Sequence, residues 1–183
     1  SDLYYKEKRR IFLKNLDKEN KYVIYMKSYS KILAPGLRLA FMILPNELIE
    51  KIKTSKFLSD ISSSSLDQYI LKEFLKRKIL EKNIKTLREK YEKRYLFLKE
   101  KLEKIKFLNL EYEIEGGFYI WVKLDERIDY NKFYIEAQNK GVYLLPAFSF
   151  YLDNKNRPYF RISFASTDIK DINLAFEKLN HII

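Results

Sequence analysis

An α/β fold is expected for this chain, with an α/β part first, one long helix next and a small α+β part last. Three observations predict it. Two short strand-like runs, residues 22–26 and 38–44, flank a connection containing Ser28, Ser30 and Pro35-Gly36. A stripe of Leu80, Ile84, Leu87, Tyr91, Leu98, Leu102 and Ile105 then recurs mainly at spacings of three and four. Further short strand-like runs follow, separated by one helical run. β-branched and aromatic runs bounded by Ser, Gly and Pro read as buried strands, and a three-four spacing is one face of a helix.

Taken in order, residues 1–5 look like the exit of a strand, and residues 6–14 form a basic loop. After the two strands, residues 46–58 and 65–76 read as helices, with Asn46 as an N-cap after Pro45 and residues 62–65 as the polar break. The central stripe makes a helix of about seven turns. A coiled-coil dimer competes for that stripe. It is the weaker reading, because strands follow directly and can use the stripe as their floor. Residues 108–113, 118–124 and 142–144 are strand candidates, and residues 130–139 form a helix ended by Gly141. A strand at 159–164 and an amphipathic helix at 169–179, capped by Thr167 or Asp168, complete the order.

Bulk composition narrows the chemistry. The 183 residues suffice for one sizeable domain or two small ones. There is no cysteine, which excludes disulfides, thiolate metal sites and cysteine nucleophiles. The single histidine, His181, argues against multi-histidine metal sites and a Ser-His-Asp triad, so no metal is expected. No run of about 18 apolar residues is present and no signal peptide opens the chain, so the expected location is cytoplasmic, away from membranes. The net charge is +11, but its lysines alternate with Glu and Asp along helical faces, as in residues 85–106. Such interleaving reads as a solvated surface rather than a nucleic-acid patch.

The connection between the first two strands carries the most chemistry. Lys31 and Arg38 lie seven residues apart across the Pro35-Gly36 turn. A lysine at a strand end can lose solvation and become a usable nucleophile. An arginine returned beside it offers a planar fork for phosphate. An amine for a carbonyl next to a clamp for a phosphate is what a pyridoxal phosphate site requires.

The segment SYSKILAPGLRLAFMILP closely resembles the Schiff-base lysine segment of fold-type I pyridoxal-phosphate aminotransferases (class I/II). Within that superfamily it is most similar to the aminotransferase-like domain of MocR-type regulators of the GntR family, and to the 2-aminoadipate and kynurenine aminotransferase group. The resemblance implies that Lys31 is the Schiff-base lysine and that Ser28 and Arg38 hold the cofactor phosphate. Lys27 and Ala40 stand where glycine is usual, and neither removes a group the site needs.

Other segments extend the resemblance in order. Asp2 falls where the family places a carboxylate beside the pyridine nitrogen, which keeps the ring protonated. A tyrosine two or three residues later binds the phenolic oxygen; Tyr4 matches the regulator pattern and Tyr5 the enzyme pattern, with Glu7 and Arg9 matching the E-x-R that follows. Arg161 lies in an alternating run with Tyr159 and Ser163 on its face. A buried arginine needs a partner, either a structural salt bridge or a ligand carboxylate. RxSFA resembles the family segment whose arginine clamps the substrate's α-carboxylate, and Arg161 is read as that clamp. Gly116-Gly117-Phe118-Tyr119-Ile120-Trp121 resembles the opening of the small domain, its glycines suiting a tight turn. Pro146-Ala147-Phe148-Ser149-Phe150-Tyr151 resembles a loop that closes over substrate, with Ala147 replacing the usual glycine and leaving that loop's conformation open. Gln68, in a family-like SSLDQ, is given no chemistry.

The resemblance implies the C-terminal part of the pyridoxal-phosphate transferase large domain (1–85), with a partial parallel-type sheet and helices. A long connecting helix and a small α+β C-terminal domain (86–183) follow. The family's phosphate turn, ring-stacking aromatic and asparagine lie upstream of the aspartate. The chain is therefore expected to be a C-terminal fragment that binds pyridoxal 5′-phosphate weakly or not at all and does not turn over substrate. Its truncated sheet would leave an apolar edge open to self-association. Two parent functions are expected. The favoured one is a transcription regulator whose cofactor-binding domain senses an amino acid or amine, works as a homodimer and reaches DNA through an N-terminal domain. The PGLRLAF and SFAS forms and the Asp2-x-Tyr4 spacing lean that way. The alternative is a free-standing aminotransferase acting on an α-amino acid and a 2-oxo acid. A cofactor-independent interaction module is disfavoured while Lys31, Arg38 and Arg161 persist.

Overall fold

The computed structural model describes residues 2–6, 11–153 and 157–183. Among them the order is α1 (Leu13–Leu16), β1 (Tyr25–Ser28), β2 (Ala40–Ile43), α2 (Ile49–Asp60), α3 (Ser65–Lys76) and α4 (Ile79–Lys104). Then come β3 (Leu108–Leu110), β4 (Tyr119–Leu124), α5 (Tyr130–Asn139), β5 (Leu145–Pro146), β6 (Tyr159–Ser163) and α6 (Ile169–Asn180). The chain divides into two compact units. One comprises residues 3–6 and 88–183, and the other Asp2 and residues up to Leu87. Glu7 and Arg9 lie outside the described residues.

In the unit of residues 88–183, four strands form an antiparallel sheet in the order β3-β4-β6-β5. One face is the core. Ile120, Val122 and Leu124 of β4 alternate inward, as period two requires, and meet Phe160 of β6. The second half of α4 covers them with Tyr95, Leu98 and Leu102 and runs on to Ile105. The Leu98, Leu102 and Ile105 part of the central stripe is thus buried in one cluster with the chain's own strands. Phe133 and Ala137 of α5, with Ile172, Phe176 and Leu179 of α6, complete the cluster. The caps are those side chains chemistry favours: Asp129 accepts from Lys132 N at 2.7 Å, and Asp168, rather than Thr167, accepts from Asp171 N at 2.9 Å. Residues 142–144, expected as a strand, are extended without a ladder, which begins instead at Leu145.

Residues 3–6 join this unit as an edge. Tyr4 bridges Gly116, Tyr5 N donates to Glu115 O at 2.9 Å, and Gly117 N donates to Leu3 O at 2.8 Å. A Cβ on Gly116 would stand 2.3 Å from Leu3 O and 2.6 Å from Tyr4 Cα, so only glycine permits the approach. Gly117 has φ +96°, which a side chain would strain.

The other unit is thinner. β1 and β2 pair antiparallel, Ser28 opposite Ala40 and Tyr25 opposite Ile43, as a short connection demands; no parallel pair occurs among its described residues. These strands were expected to be buried. Instead every residue of β2 is exposed, and Met26 of β1 is 64% exposed, because the ribbon has two strands and little covers it. Phe12, Tyr25, Tyr29 and Phe41 make a chain of ring contacts on one face. Its buried apolar side chains include Tyr29, Ile32, Leu39 and Leu80, whereas α2 and α3 bury none. The chain around α1 is held by polar chemistry. Asp17 accepts from the backbone N–H groups of Lys21, Tyr22 and Val23 at 3.0, 3.2 and 2.9 Å, and from Lys14 Nζ at 3.1 Å. Asn20, with φ 56°, donates to Leu44 O at 2.8 Å and ties this loop to the end of β2. Asn46, expected as a helix cap, accepts instead from Asn20 Nδ2 at 3.2 Å, and a 3₁₀ turn at Asn46–Leu48 precedes α2. Ser64 caps α3.

Candidate functional site

Ser28, Lys31 and Arg38 all belong to the link that joins β1 to β2. The ladder passes its last strand pair, Ser28–Ala40, with Tyr29 N donating to Leu39 O at 3.0 Å. A turn then folds back on Tyr29 O, which accepts from Ile32 N and Leu33 N. Lys31 lies inside that turn. A 3₁₀ turn at Pro35–Leu37 leads to Arg38 in a left-handed conformation with φ 50°, returning the chain to β2. Proline fits the first position of such a turn because its φ is preset. Ser28 Oγ accepts from Ser30 N at 3.2 Å. The link thus supplies one hydroxyl, one amine and one guanidinium within a short span, all on exposed residues. The desolvation of Lys31 expected at a strand end is not supplied by this unit.

Asp2 is held beside β1. Lys27 Nζ lies 3.0 Å from Asp2 Oδ1. Strand alternation puts Lys27 on the face of Tyr25 and Phe41, opposite that of Ser28. The departure from glycine at this position is therefore an ammonium on the carboxylate. No signal in the sequence separated this from a solvated lysine.

The two tyrosines differ. Tyr5 Oη donates to Gly117 O at 2.8 Å, and its ring stacks on Tyr95 at 5.9 Å. Burial pushes the Tyr5 phenol well above its ordinary value, with Tyr95, Glu92 and Tyr91 adding to the rise. Its hydroxyl is a structural donor to the chain that precedes β4. Tyr4 offers its backbone to Gly116.

Arg161 sits at the middle of β6, opposite Trp121 on β4 and Leu145 on β5. Its guanidinium carbon lies 4.2 Å from the Tyr119 ring centre and 4.7 Å from that of Phe150. The partner a half-buried arginine needs is thus a pair of aromatic faces, not a carboxylate: no ion pair to Arg161 occurs among the described residues. Trp121 meets Phe150 edge-on at 5.4 Å and stacks on Tyr159 at 6.0 Å. The strand end is fixed by Arg94, a buried residue donating to the carbonyls of Phe164 (3.3 Å) and Ala165. Ala147 is fully buried at the start of a 3₁₀ turn, Ala147–Phe150, with no left-handed backbone, so the glycine usual there is not required. Alternation on β4 could have found Tyr119 and Trp121; Phe150 arrives from a loop, which no periodicity reveals. Gln68 donates to Ser63 O, a local bond near the start of α3.

Among the described residues no group of three or more His, Cys, Asp or Glu could hold a metal ion, and no helix is long and apolar enough to cross a membrane.

An aminotransferase of Saccharolobus solfataricus, itself uncharacterized, is 31% identical over 172 residues, which cover 93% of this chain and 43% of that protein. The HTH-type transcriptional regulator YdfD of Bacillus subtilis is 29% identical over 175 residues, covering 93% and 35%. The crystal structure of a multiple substrate aminotransferase from Thermococcus profundus superposes with a TM-score of 0.86 at 27% identity, over 100% of this chain and 45% of that one. The chain thus spans less than half the length of these proteins. The profile of the family described as aminotransferase class I and II matches residues 1–179, and the chain belongs to that family.

Proposed function

We propose that this chain is the pyridoxal-phosphate-binding, amino-acid-sensing part of a transcription regulator of the aminotransferase-like kind. The observation that carries the cofactor is the β1–β2 link, which brings Ser28, Lys31 and Arg38 into one short span of chain. The donor set fits the group: a hydroxyl and a guanidinium for a phosphate, an amine for a carbonyl, and a carboxylate for a pyridine nitrogen. Pyridoxal phosphate, when bound, supplies an electron sink for the bonds at an amino acid's α-carbon. Ser28 and Arg38 would hold its phosphate, Lys31 Nζ would hold its carbonyl and move a proton at the α-carbon, and Asp2 would keep the ring nitrogen protonated. Arg161 would hold the amino acid's carboxylate.

The lean toward a regulator rests on the tyrosines. Tyr5, the enzyme-pattern residue, has its hydroxyl committed to Gly117 O, which supports Tyr4, the regulator-pattern residue, as the contact to the phenolic oxygen. The resemblance to YdfD, a transcriptional regulator, supports the same reading, with DNA contacted through a segment other than this one and a homodimer as the working form. The alternative, a free-standing aminotransferase, is supported by the Saccharolobus relative.

The test starts from the full-length parent protein reconstituted with pyridoxal phosphate. Lys31→Ala should abolish the visible absorbance of the bound cofactor; survival of that band would mean that another lysine holds it. Adding an amino acid and a 2-oxo acid then separates the two readings. A regulator changes absorbance once and stops, whereas an enzyme accumulates product beyond one equivalent per site.

A further inference from the structure

We propose that the amino acid held by Arg161 carries an aromatic side chain, and that Phe150 selects it; this rests on the carboxylate-clamp reading above. Two rings lie against the Arg161 guanidinium, that of Tyr119 at 4.2 Å and that of Phe150 at 4.7 Å. Its fork of N–H donors can take a carboxylate in two parallel bonds. The cation is not neutralised by any carboxylate among the described residues, so an anionic ligand group completes it. Phe150 packs edge-on against Trp121 at 5.4 Å, which fixes its plane, yet the residue remains 45% exposed. Phe148 and Tyr151, from the same 3₁₀ turn and its end, are exposed as well.

A ligand anchored by its carboxylate on Arg161 lies beside the exposed ring of Phe150. A short aliphatic side chain leaves that ring wet. An aromatic side chain covers the outward part of Phe150 and gains the edge-to-face or offset contact that ring pairs favour. Selection therefore comes from a ring already oriented by Trp121, with no further ordering to pay for.

Trp121 is the sole tryptophan of the chain and touches Phe150, so its fluorescence reports on this group without any cofactor. The experiment titrates the 183-residue protein with L-phenylalanine and with L-2-aminobutyrate, exciting tryptophan alone. L-Phenylalanine should half-saturate the signal at about one-tenth of the concentration needed by L-2-aminobutyrate, the size expected from one added ring contact. Phe150→Leu should bring the two ligands within about twofold of each other. Arg161→Lys should remove both responses. Equal half-saturation by both ligands, with loss of both in Arg161→Lys, overturns the aromatic selection and leaves the clamp standing. No response to either ligand, or a response that survives Arg161→Lys, overturns the clamp and this inference with it. An unchanged preference in Phe150→Leu removes Phe150 as the selector.

Discussion

The two units of this chain solve the folding problem unequally. The unit of residues 88–183 closes one core: four strands, the second half of α4, α5 and α6 bury Leu98, Val122, Phe133, Phe160 and Leu179 almost completely. The unit before it offers a two-stranded ribbon whose strands stay largely exposed, and two helices that bury no residue. A two-stranded ribbon is marginal in water by itself. Yet that thinner unit carries Ser28, Lys31, Arg38 and Asp2, while the closed unit carries the aromatic-walled Arg161. The cofactor candidates thus sit where backbone hydrogen bonds and polar ties define the shape, and the clamp candidate Arg161 sits on a packed sheet. Rigidity is supplied by a core in one case and by a loop network in the other.

The sharpest way to break this contrast is a core truncation. Phe160→Ala should cost about 3–5 kcal/mol, since a large buried ring is lost and a cavity left. Denaturant unfolding measures it, and amide exchange should slow most in β4 and β6 and least in β1 and β2. Equal protection of the two ribbons would end the comparison.

A smaller effect, about 1–3 kcal/mol, is expected for Gly116→Ala, because the new Cβ collides with Leu3 O and Tyr4 Cα. The readout is release of residues 3–5: the Tyr5 phenol, no longer buried, should titrate closer to its ordinary value. A Tyr5 titration identical to that of the parent would show that the edge is held by something other than this approach.

Acid should act on the thinner unit first. Burial favours the protonated form of Asp17, but the N–H groups of Lys21, Val23 and Tyr22 and the Lys14 ammonium outweigh it and hold the carboxyl well below the usual aspartate range. A depressed folded-state value means stability that is present above the unfolded value, about 3.9, and lost as pH falls through the folded one. Parent protein should therefore lose order around α1 and β1 as the solution becomes strongly acidic. Asp17→Asn should show that loosening already at neutral pH and lose its acid dependence there. Exchange rates of the Lys21, Tyr22 and Val23 amides across pH decide it; flat rates in the parent would refute the role.

The smallest effect sharpens the other side. Met26→Ala, on an exposed strand, should cost less than about 1 kcal/mol, against the several expected at Phe160. A cost as large as that at Phe160 would mean that the ribbon is packed in solution.

Much of this architecture could be read from residue order. The helix at 65–76, the helix at 130–139 and the long central helix follow from apolar spacing and cap chemistry, both of which act within a few residues. The chemistry of the β1–β2 link followed from residue types and a resemblance that itself depends only on order. Tertiary structure alone decided what acts across distance. Periodicity could not tell that Asn46 binds Asn20 instead of capping a helix, or that Lys27 meets Asp2. Nor could it show that the ladder at residues 142–146 starts only at Leu145. The role of Gly116 depends on Leu3, more than a hundred residues earlier, and the partner of Arg161 depends on Phe150 arriving from a turn. Burial of β1 and β2 was misjudged for the same reason: an apolar run states what a strand can bury, but only the neighbours present decide whether it is buried.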